Sequence, residues 1–301
     1  MPGDAARFTT EPLREILTHL RATIARDTHA EILVPDPDLG IGLYPGELTH
    51  AGRHRPYQVW VDVADRLGAH LLTPTRDGNF VRLRFVRERT DRARPGERHA
   101  ERYGADSDFQ RVDKREDPCF LEDLQEALAR AALQPGARVL SVGVNNGREL
   151  DVLHLTYPSH DLHVTGIDVS DTALALARER HPRHVFRVLD VNDLPEPELG
   201  RFDLIIALAT LQSPGVDQDR VFRTLLREHL KPAGGIIIGL PNCRYAHGRV
   251  SYGARLLNYH RPELSLLLKD AALYRRHLQK HGFRVWVTGK YDVLVTAVRN
   301  A

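Results

Sequence analysis

Hydrophobic positions along this chain follow helical and strand periods in turn. In residues 10–28 the apolar side chains recur at helical spacing, and residues 57–69 show a second helical pattern that ends at Gly68. The stretch NFVRLRFVRE then alternates apolar and arginine positions, which predicts a half-exposed strand with an arginine face at the edge of a sheet. Together these elements predict a small α+β domain over residues 1–90.

The pattern changes twice in the rest of the chain. Residues 91–116 are rich in charge and poor in apolar side chains, which predicts an exposed linker. From residue 117 onward, five short apolar runs alternate with helical patterns, and the chain closes on two apolar runs joined by a Thr-Gly-Lys turn. Residues 117–301 are therefore predicted to form an α/β domain, whose doubly wound, mostly parallel seven-stranded sheet ends in an antiparallel C-terminal hairpin.

The first apolar run of this second domain ends in a glycine-rich stretch, GVNNG. Gly143 and Gly147 predict a tight turn that opens a helix and lets the backbone press against a ligand. Asp168 ends the next apolar run, where an acidic side chain is placed to bind the hydroxyls of a ribose. The two features together predict a site for an adenosine-bearing cofactor.

Composition limits the classes of partner. The 301 residues include 42 basic and 40 acidic side chains, a formal net charge of +2, so attraction to nucleic acid would have to come from a local patch. The two cysteines, Cys119 and Cys243, argue against a disulfide framework and against a cysteine-based zinc site. No apolar run has the length of a signal-peptide core or a membrane span, so we expect a cytoplasmic protein without a membrane partner.

Three further features occur together in the second domain. The phrase LKPAGG fills residues 230–235, and the closing hairpin begins at Gly282. Acidic residues follow or begin successive apolar runs, at Asp168, Asp190 and Asp203. In this combination residues 117–299 resemble the class I S-adenosylmethionine-dependent methyltransferases. The resemblance implies a methyltransferase that uses S-adenosyl-L-methionine as its cofactor.

A nicotinamide-binding Rossmann domain is the structural rival for the same elements. Its G-x-G-x-x-G fingerprint needs a glycine where this chain has Asn145, although asparagine tolerates the left-handed conformation that the turn requires. S-adenosylmethionine has no phosphate, so it does not need the dinucleotide geometry. The chain departs from the methyltransferase pattern at Ser141, where an acidic residue often helps to bind the amino group of the cofactor.

The resemblance also implies a set of cofactor-binding residues at the carboxyl ends of the predicted strands: Gly143, Val144, Asn145, Gly147, Asp168, Val169, Asp190, Val191 and Leu208. The loop members would line the methionine part, with Asn145 offering its side-chain amide. Asp168 would bind both ribose hydroxyls, and Val169 would pack on the adenine. Asp190, for which a plain turn cap is the alternative, would accept a hydrogen bond from the adenine amino group beside the Val191 amide. Leu208 would face the reacting methyl group.

The segment after the fifth strand carries the candidates for binding the methyl acceptor. Residues 242–276 hold seven Lys or Arg against two acidic residues, interleaved with tyrosines, and this mixture suits stacked bases and phosphates. The predicted substrate-binding residues are Asn242, Arg244, Tyr252 and Tyr259, and the candidate catalytic residues are Tyr245, His247 and His260. A pair of helices with packed tyrosines and solvated arginines is the alternative explanation.

Methyl transfer requires few specific catalytic side chains. Methyl transfer from a sulfonium is an in-line displacement that needs alignment and, for some acceptors only, a general base. Cys243 is disfavoured as a nucleophile because the segment ALATLQSP lacks the acidic partner that such a cysteine requires. Near the fourth strand there is no H-x-x-H or H-E-x-x-H spacing and no carboxylate pair, so we expect no metal site.

The acceptor remains the open part of the functional prediction. The basic, aromatic segment favours RNA or another nucleotide-bearing molecule, and the N-terminal domain would help to recognise it or have a structural role. A small-molecule or natural-product methyltransferase is the first alternative. The second is a catalytically silent, cofactor-binding partner subunit. The oligomeric state is not predicted by any of these patterns.

Overall fold

The structure is a computed structural model, and residues 5–88, 103–246, 249–252 and 264–299 are described. The chain divides into two compact units, Met1–Ala93 and Arg94–Ala301. Each unit encloses buried apolar residues of its own. None of the helices in the described ranges has both the length and the hydrophobicity needed to cross a bilayer.

The N-terminal unit is an α+β structure, as the sequence predicts. Its helices and strands, numbered in chain order, are β1 (Ala6–Arg7), α1 (Leu13–Asp27), β2 (His29–Pro35), β3 (Leu48–Thr49), β4 (Gly52–Arg53), α2 (Tyr57–Leu67), β5 (Ala69–Leu71), β6 (Thr75–Asp77) and β7 (Phe80–Arg87). Helix α2 ends at Gly68, whose left-handed backbone (φ 59°) returns its N–H to the last turn. Both helices bury their apolar faces with β2 and β7.

Strand β7 is the arginine-faced strand, and its predicted position at a sheet edge is wrong. It pairs with β2 on one side and with β5 and β6 on the other, so it lies inside the sheet. Ion pairs between strands balance the charge of Arg82 on this face, since Arg82 lies 2.9 Å from Glu31 on β2 and 3.7 Å from Asp77 on β6. The alternation of apolar and arginine positions predicted the strand. It could not show that acidic residues on the two neighbouring strands, β2 and β6, would pair with Arg82.

The C-terminal unit alternates strands and helices. Its elements are α3 (Pro118–Arg130), β8 (Arg138–Val142), α4 (Arg148–Thr156), β9 (His163–Asp168), α5 (Asp171–Arg180), β10 (Val185–Val188), β11 (Phe202–Leu208), α6 (Gln218–Thr224), β12 (Leu230–Pro241), β13 (Cys243–Ala246), β14 (Arg249–Tyr252), α7 (Ser265–Lys280), β15 (Phe283–Gly289) and β16 (Asp292–Arg299). Four 3-10 turns, at Asp108–Arg111, Lys114–Glu116, Val191–Asp193 and Pro197–Leu199, and one π turn at Leu225–His229 complete it.

Seven of these strands form one sheet in the order β10-β9-β8-β11-β12-β16-β15. Strands β8 to β12 run parallel, whereas β16 is antiparallel to β12 and to β15. Side chains of β11 alternate between two cores, because Leu204 and Ile206 pack with α3 to α5 and Ile205 packs with α6 and α7. The predicted seven-stranded, mostly parallel sheet with an antiparallel C-terminal hairpin is therefore confirmed.

Local signals account for several element boundaries. Asp117 caps α3 by accepting a hydrogen bond from the Cys119 N–H at 3.0 Å, and Pro118 occupies the first turn. The helical pattern over 217–230 is shorter in the structure, because α6 passes into the π turn and β12 already begins at Leu230. The segment around Asn242 that was predicted to bind the acceptor begins as a two-stranded hairpin of β13 and β14.

The described part of the predicted linker, residues 103–116, folds as two 3-10 turns within the C-terminal unit. We call this stretch the strap. Its Lys114 forms an ion pair with Asp292 at the start of β16, with Nζ 2.8 Å from Oδ1. The charged composition of this segment therefore supplies ion pairs within the C-terminal unit.

Candidate active site

The candidate site lies where the parallel strands β8, β9, β10 and β11 end. Neighbouring parallel strands bring their carboxyl ends to one edge of the sheet, and the loops that follow them line a common crevice. The loop after β8, residues 143–147, is called the cofactor loop below. Asp168 ends β9, Asp190 follows β10, and Leu208 ends β11.

The cofactor loop has left-handed backbone at three positions, with φ of 69° at Gly143, 48° at Asn145 and 73° at Gly147. A Cβ atom on Gly143 would lie 2.2 Å from Oγ1 of Thr210, which itself donates to the Val142 carbonyl at 2.8 Å. Glycine is therefore required at this position both for its backbone conformation and for the close approach of Thr210. The missing side chain thus lets Thr210 pack directly against the end of β8.

The carboxylate of Asp168 is held in place by two backbone amides. Its Oδ2 accepts a hydrogen bond from the Asn145 N–H at 2.9 Å, and its Oδ1 accepts one from the Ser170 N–H at 3.0 Å. Ser170 also caps α5 through a 3.2 Å hydrogen bond from the Ala173 N–H, as the sequence predicts. The predicted ribose-binding carboxylate is thus fixed directly beside the cofactor loop.

The side chain of Asn145 is engaged by the strap. Its Nδ2 donates to the Tyr103 carbonyl at 2.7 Å, and its Oδ1 accepts from Nε2 of Gln110 at 2.8 Å. The family resemblance implies that this amide faces the methionine end of a cofactor, whereas in the structure it is hydrogen-bonded to residues 42 and 35 positions earlier in the chain. Gln110 also accepts a hydrogen bond from the side chain of Asn146, so one strap residue contacts two loop residues.

A second carboxylate, Glu149, lies behind the cofactor loop and was not among the predicted site residues. The Ser141 hydroxyl donates to its Oε1 at 2.7 Å. Burial raises the pKa of Glu149 to about 7, the Ser141 hydrogen bond opposes this rise, and the negative charge of Asp168 adds to it. Ser141 stands where the family often has an acidic residue. It is hydrogen-bonded to Glu149, which brings a carboxylate to this place from the first turn of α4.

The remaining predicted cofactor residues lie at the same edge of the sheet. Val144 is buried and Val169 is 41% exposed. Asp190 is exposed and accepts a hydrogen bond from the Asn192 N–H at 2.8 Å, which is the turn-capping role weighed as its alternative. Val191 is buried at the start of that turn. Leu208 is half-buried, and its carbonyl accepts a 3.2 Å hydrogen bond from the Thr210 hydroxyl.

Two of the predicted acceptor-side residues have structural partners. Asn242 is buried, and its Nδ2 donates to the Lys290 carbonyl at 2.8 Å. Tyr245 is half-buried beside the Lys114 Nζ, which lies 5.8 Å from its ring centroid. Burial raises the pKa of the Tyr245 phenol above its ordinary value, so the hydroxyl keeps its proton and is poorly suited to act as a base.

The other acceptor-side candidates are only partly described. Arg244 and Tyr252 lie on β13 and β14, where the description extends to their backbone, with Arg244 in register with Ser251 and Tyr252 with Cys243. His247, Tyr259 and His260 lie outside the described residues. Burial raises the pKa of the Cys243 thiol to about 12, so the thiolate needed for nucleophilic attack is not formed near neutral pH.

Comparison with known proteins agrees with this architecture. Residues 139–234 match a family model described as a methyltransferase domain. The C-terminal unit contains a class I methyltransferase domain. The matched range of this domain begins within β8 and ends within β12, so it includes the cofactor loop, Asp168, Asp190 and Leu208.

Curated relatives of the domain include trans-aconitate 2-methyltransferases. The one from Variovorax paradoxus is 35% identical over 120 residues, which are 40% of this chain and 44% of the relative. The one from Delftia acidovorans is 33% identical over 120 residues, which are 40% of this chain and 43% of the relative. The chain therefore spans less than half the length of the curated relatives it matches.

Solved structures similar to the chain include two methyltransferases. A SAM-dependent methyltransferase from Aquifex aeolicus is 22% identical, with a TM-score of 0.45 over 64% of this chain and 99% of the other. Magnesium protoporphyrin IX methyltransferase from Synechocystis, with bound SAM, is 19% identical, with a TM-score of 0.40 over 60% of this chain and 78% of the other.

Proposed function

We propose that this protein transfers a methyl group from S-adenosyl-L-methionine to a small-molecule acceptor. The observation that carries the cofactor assignment is the hydrogen bond between the cofactor loop and Asp168. A backbone turn without side chains at Gly143 and Gly147 lies beside a carboxylate oriented by two amides, at the ends of adjacent strands. These groups suit an adenosine-bearing molecule without phosphates. A phosphate would need basic groups to balance its negative charge, whereas ribose hydroxyls need only an acceptor such as the Asp168 carboxylate.

The residues of the domain would divide the cofactor between them. The cofactor loop would support the methionine part, Asp168 would accept hydrogen bonds from the ribose hydroxyls, and Asp190 with Val191 would bind the adenine. We add Glu149 to this set. Its carboxylate, hydrogen-bonded to Ser141, would attract the ammonium group in place of the acidic residue missing at position 141.

S-adenosyl-L-methionine supplies an electrophilic methyl group on a sulfonium when it is bound. The work left to the protein is to align the acceptor with that methyl group and to exclude water. Leu208, at the end of β11, would contribute an apolar wall there. No residue of the described site is assigned as a general base, since Tyr245 holds its proton and in-line displacement does not require one for every acceptor.

The relatives favour a small molecule as the acceptor class. Both named relatives are trans-aconitate 2-methyltransferases, which are named for a small carboxylic acid. Because less than half of each relative is covered, we propose the class of acceptor and leave its identity open. The RNA preference expected from the sequence rests on the basic, tyrosine-rich composition of residues 242–276, and neither named relative is named for an RNA acceptor.

Titration calorimetry with S-adenosylhomocysteine tests the cofactor assignment. Asp168→Ala removes the carboxylate and is expected to weaken binding by at least about tenfold, since a lost charge-assisted hydrogen bond is worth about 1.5–3 kcal/mol. Asp161→Ala, an exposed aspartate ahead of the same strand, serves as the matched control and should bind as the unmodified protein does. Equal affinity of all three proteins would contradict the cofactor assignment.

The acceptor class is tested separately with tritium-labelled cofactor and fractions of a host extract. We expect label in the small-molecule fraction, and its level should not change after treatment of the extract with ribonuclease. Label that appears in RNA and falls steeply with salt would instead support the nucleotide-bearing acceptor. Cofactor binding without transfer to any fraction would support the silent partner subunit.

A further inference from the structure

Three histidines lie together on the C-terminal unit, behind the cofactor loop. His154 is in the last turn of α4, His181 ends α5, and His184 follows in the loop before β10. One ring nitrogen from each lies within 4.8 Å of the other two. The Nε2 atoms of His154 and His184 are 2.8 Å apart, and these two rings stack with centroids 5.0 Å apart.

The local structure explains why these rings converge. Helix α5 ends at His181, whose N–H donates to the Ala177 carbonyl at 2.9 Å, and Pro182 prevents its continuation. The chain then turns, because the His184 N–H donates to the His181 carbonyl at 3.0 Å. This turn gives the two residues an H-x-x-H spacing on one side, and the end of the neighbouring helix α4 adds His154.

Burial disfavours protonation of two of the three rings. Burial lowers the pKa of His154, and burial together with the neighbouring His154 lowers the pKa of His184 to about 4. An imidazole that is not protonated has one nitrogen lone pair available for a metal ion. What distinguishes the cluster from ordinary surface histidines is its geometry, with three ring nitrogens within 4.8 Å of one another.

The ring of His181 is also held by neighbouring groups. Its Nε2 is 2.9 Å from the Gly147 carbonyl and 3.5 Å from Oδ1 of Asp151. Backbone carbonyls and carboxylates in this position fix the tautomer and orientation of metal-binding histidines, because they take the proton-bearing nitrogen and leave the other one for the metal.

We propose that His154, His181 and His184 bind one transition-metal ion, with Zn²⁺ as the ion expected to bind. Imidazole is a preferred ligand of Zn²⁺, and three histidines form a recurrent ligand set for it. Ligand nitrogens about 2.0–2.1 Å from a tetrahedral ion lie about 3.3 Å from one another, so the 2.8 Å pair has to open by roughly half an ångström. A change of this size is within the reach of side-chain rotation at two half-buried residues.

The charges around the cluster neither block nor create the site by themselves. Asp151 is the nearest carboxylate, and it also pairs with Arg115 and Arg180. The ligand set therefore consists of three imidazoles with a carboxylate beside one of them. The proposal does not depend on the methyltransferase assignment, since none of these side chains is assigned to bind the cofactor and His181 meets the cofactor loop only at the Gly147 carbonyl.

The test uses the full chain without any histidine tag, after dialysis against a chelator. Zn²⁺ is titrated in competition with a chromophoric chelator, and Co²⁺ is added in parallel so that its visible absorption reports the ligand geometry. We expect about one equivalent of Zn²⁺ bound with a dissociation constant of roughly 1 μM or lower. We also expect Co²⁺ to develop the visible bands of a nitrogen-ligated site of low coordination number.

Variants locate the site. His154→Gln and His184→Gln, both at half-buried positions, should each weaken Zn²⁺ binding by at least about tenfold, because each removes one of three ligands. His281→Gln is the matched control. It breaks a second close histidine pair among the described residues, His277 in the last turn of α7 and His281 just after it, whose ring centroids are 4.5 Å apart, and it should leave the Zn²⁺ affinity unchanged.

Far-UV circular dichroism and metal-free thermal melting establish that each variant is folded before its affinity is interpreted. If His154→Gln unfolds the protein, His184→Gln in the loop carries the test alone. The proposal is overturned if the unmodified chain binds no Zn²⁺ in this range. It is equally overturned if His281→Gln removes the binding, or if His184→Gln leaves both the affinity and the Co²⁺ spectrum as they were.

Discussion

Gly143 shows how a single residue can carry two separate constraints. Its backbone is left-handed, and a Cβ atom there would also meet Thr210 at 2.2 Å. Gly136 has the same kind of backbone (φ 78°) but has no atom within 4 Å of its virtual Cβ. The pair of positions therefore separates backbone strain from steric overlap.

We predict that Gly136→Ala lowers the free energy of unfolding by about 1–2 kcal/mol, the cost of a left-handed alanine. Gly143→Ala should cost more than this, because Thr210 has to move as well, and it should also weaken binding of S-adenosylhomocysteine. Denaturant unfolding and calorimetry measure both effects. Equal stability losses at the two positions would show that the approach of Thr210 is not a constraint.

Glu149 gives the stability of the protein a pH dependence of defined sign. Its pKa is about 7 in the folded protein and 4.5 ordinarily, so the folded state favours the protonated form. As the pH rises above 4.5, the unfolded chain releases this proton while the folded protein retains it. Stability therefore falls between about pH 4.5 and pH 7, by about 3 kcal/mol in total, and is constant in this respect above pH 7.

Glu149→Gln should remove this slope, because an amide does not titrate. We expect the difference in unfolding free energy between the Gln variant and the unmodified protein to grow by about 3 kcal/mol from pH 5 to pH 8, measured by denaturant titration at each pH. Glu179→Gln, at an exposed position on α5, is the control and should keep the slope. A slope that survives in Glu149→Gln would assign it to other groups.

At the scale of elements, a half-buried set of charges helps to hold the strap. Asp113 is hydrogen-bonded by Arg115, and this contact lowers the pKa of Asp113 from 3.8 to about 2. Arg115 also reaches Asp151 on α4, and Arg148 donates to the strap carbonyls of Gln110 and Val112. The strap is thereby joined to the helix that follows the cofactor loop.

We predict that Asp113→Asn destabilises the strap by about 2 kcal/mol at neutral pH. The folded pKa lies below the ordinary value, so this stabilisation is complete above about pH 4 and is lost as the pH falls toward 2. Limited proteolysis between residues 103 and 116 measures it. Asp108→Asn is the control on the same segment, since its ion pair with Arg111 is almost fully exposed and contributes little.

The strap also shows where prediction from sequence ends. Its high charge predicted an exposed linker. Charge alone does not reveal ion-pair partners that are distant in sequence, such as Asp151, which lies 36 positions after Arg115. The strands of the sheet were predictable because a strand buried on both faces leaves a continuous apolar run. The interior position of β7 was not predictable, since alternation reports one exposed face and says nothing about neighbouring strands.

The site divides in the same way. The turn at Gly143 and Gly147 and the strand end at Asp168 could be predicted because turn chemistry and strand ends leave a local signal; their role in cofactor binding stays a prediction. Glu149 and the three histidines could not, because their function depends on contacts across α4 and α5. The H-x-x-H spacing of His181 and His184 was the one available signal, and it lies before β10, away from the fourth strand where a metal site was sought.

At the scale of the whole molecule, the two units have separate cores. The buried residues of the N-terminal unit come from α1, α2, β2, β5 and β7, and the two cores of the C-terminal unit come from its own helices and strands. A unit that buries its own apolar surface can fold alone. The proposed cofactor site is formed within residues 103–299, so it should not need the N-terminal unit.

We therefore predict that a fragment of residues 103–301 folds and binds S-adenosylhomocysteine within about twofold of the full chain, as measured by circular dichroism and calorimetry. If the N-terminal unit recognises the acceptor, the fragment should lose methyl transfer while keeping cofactor binding. Loss of binding in a folded fragment would instead mean that the N-terminal unit completes the cofactor site. Full transfer by the fragment would assign the N-terminal unit a structural role, because acceptor recognition would then lie entirely within the methyltransferase domain.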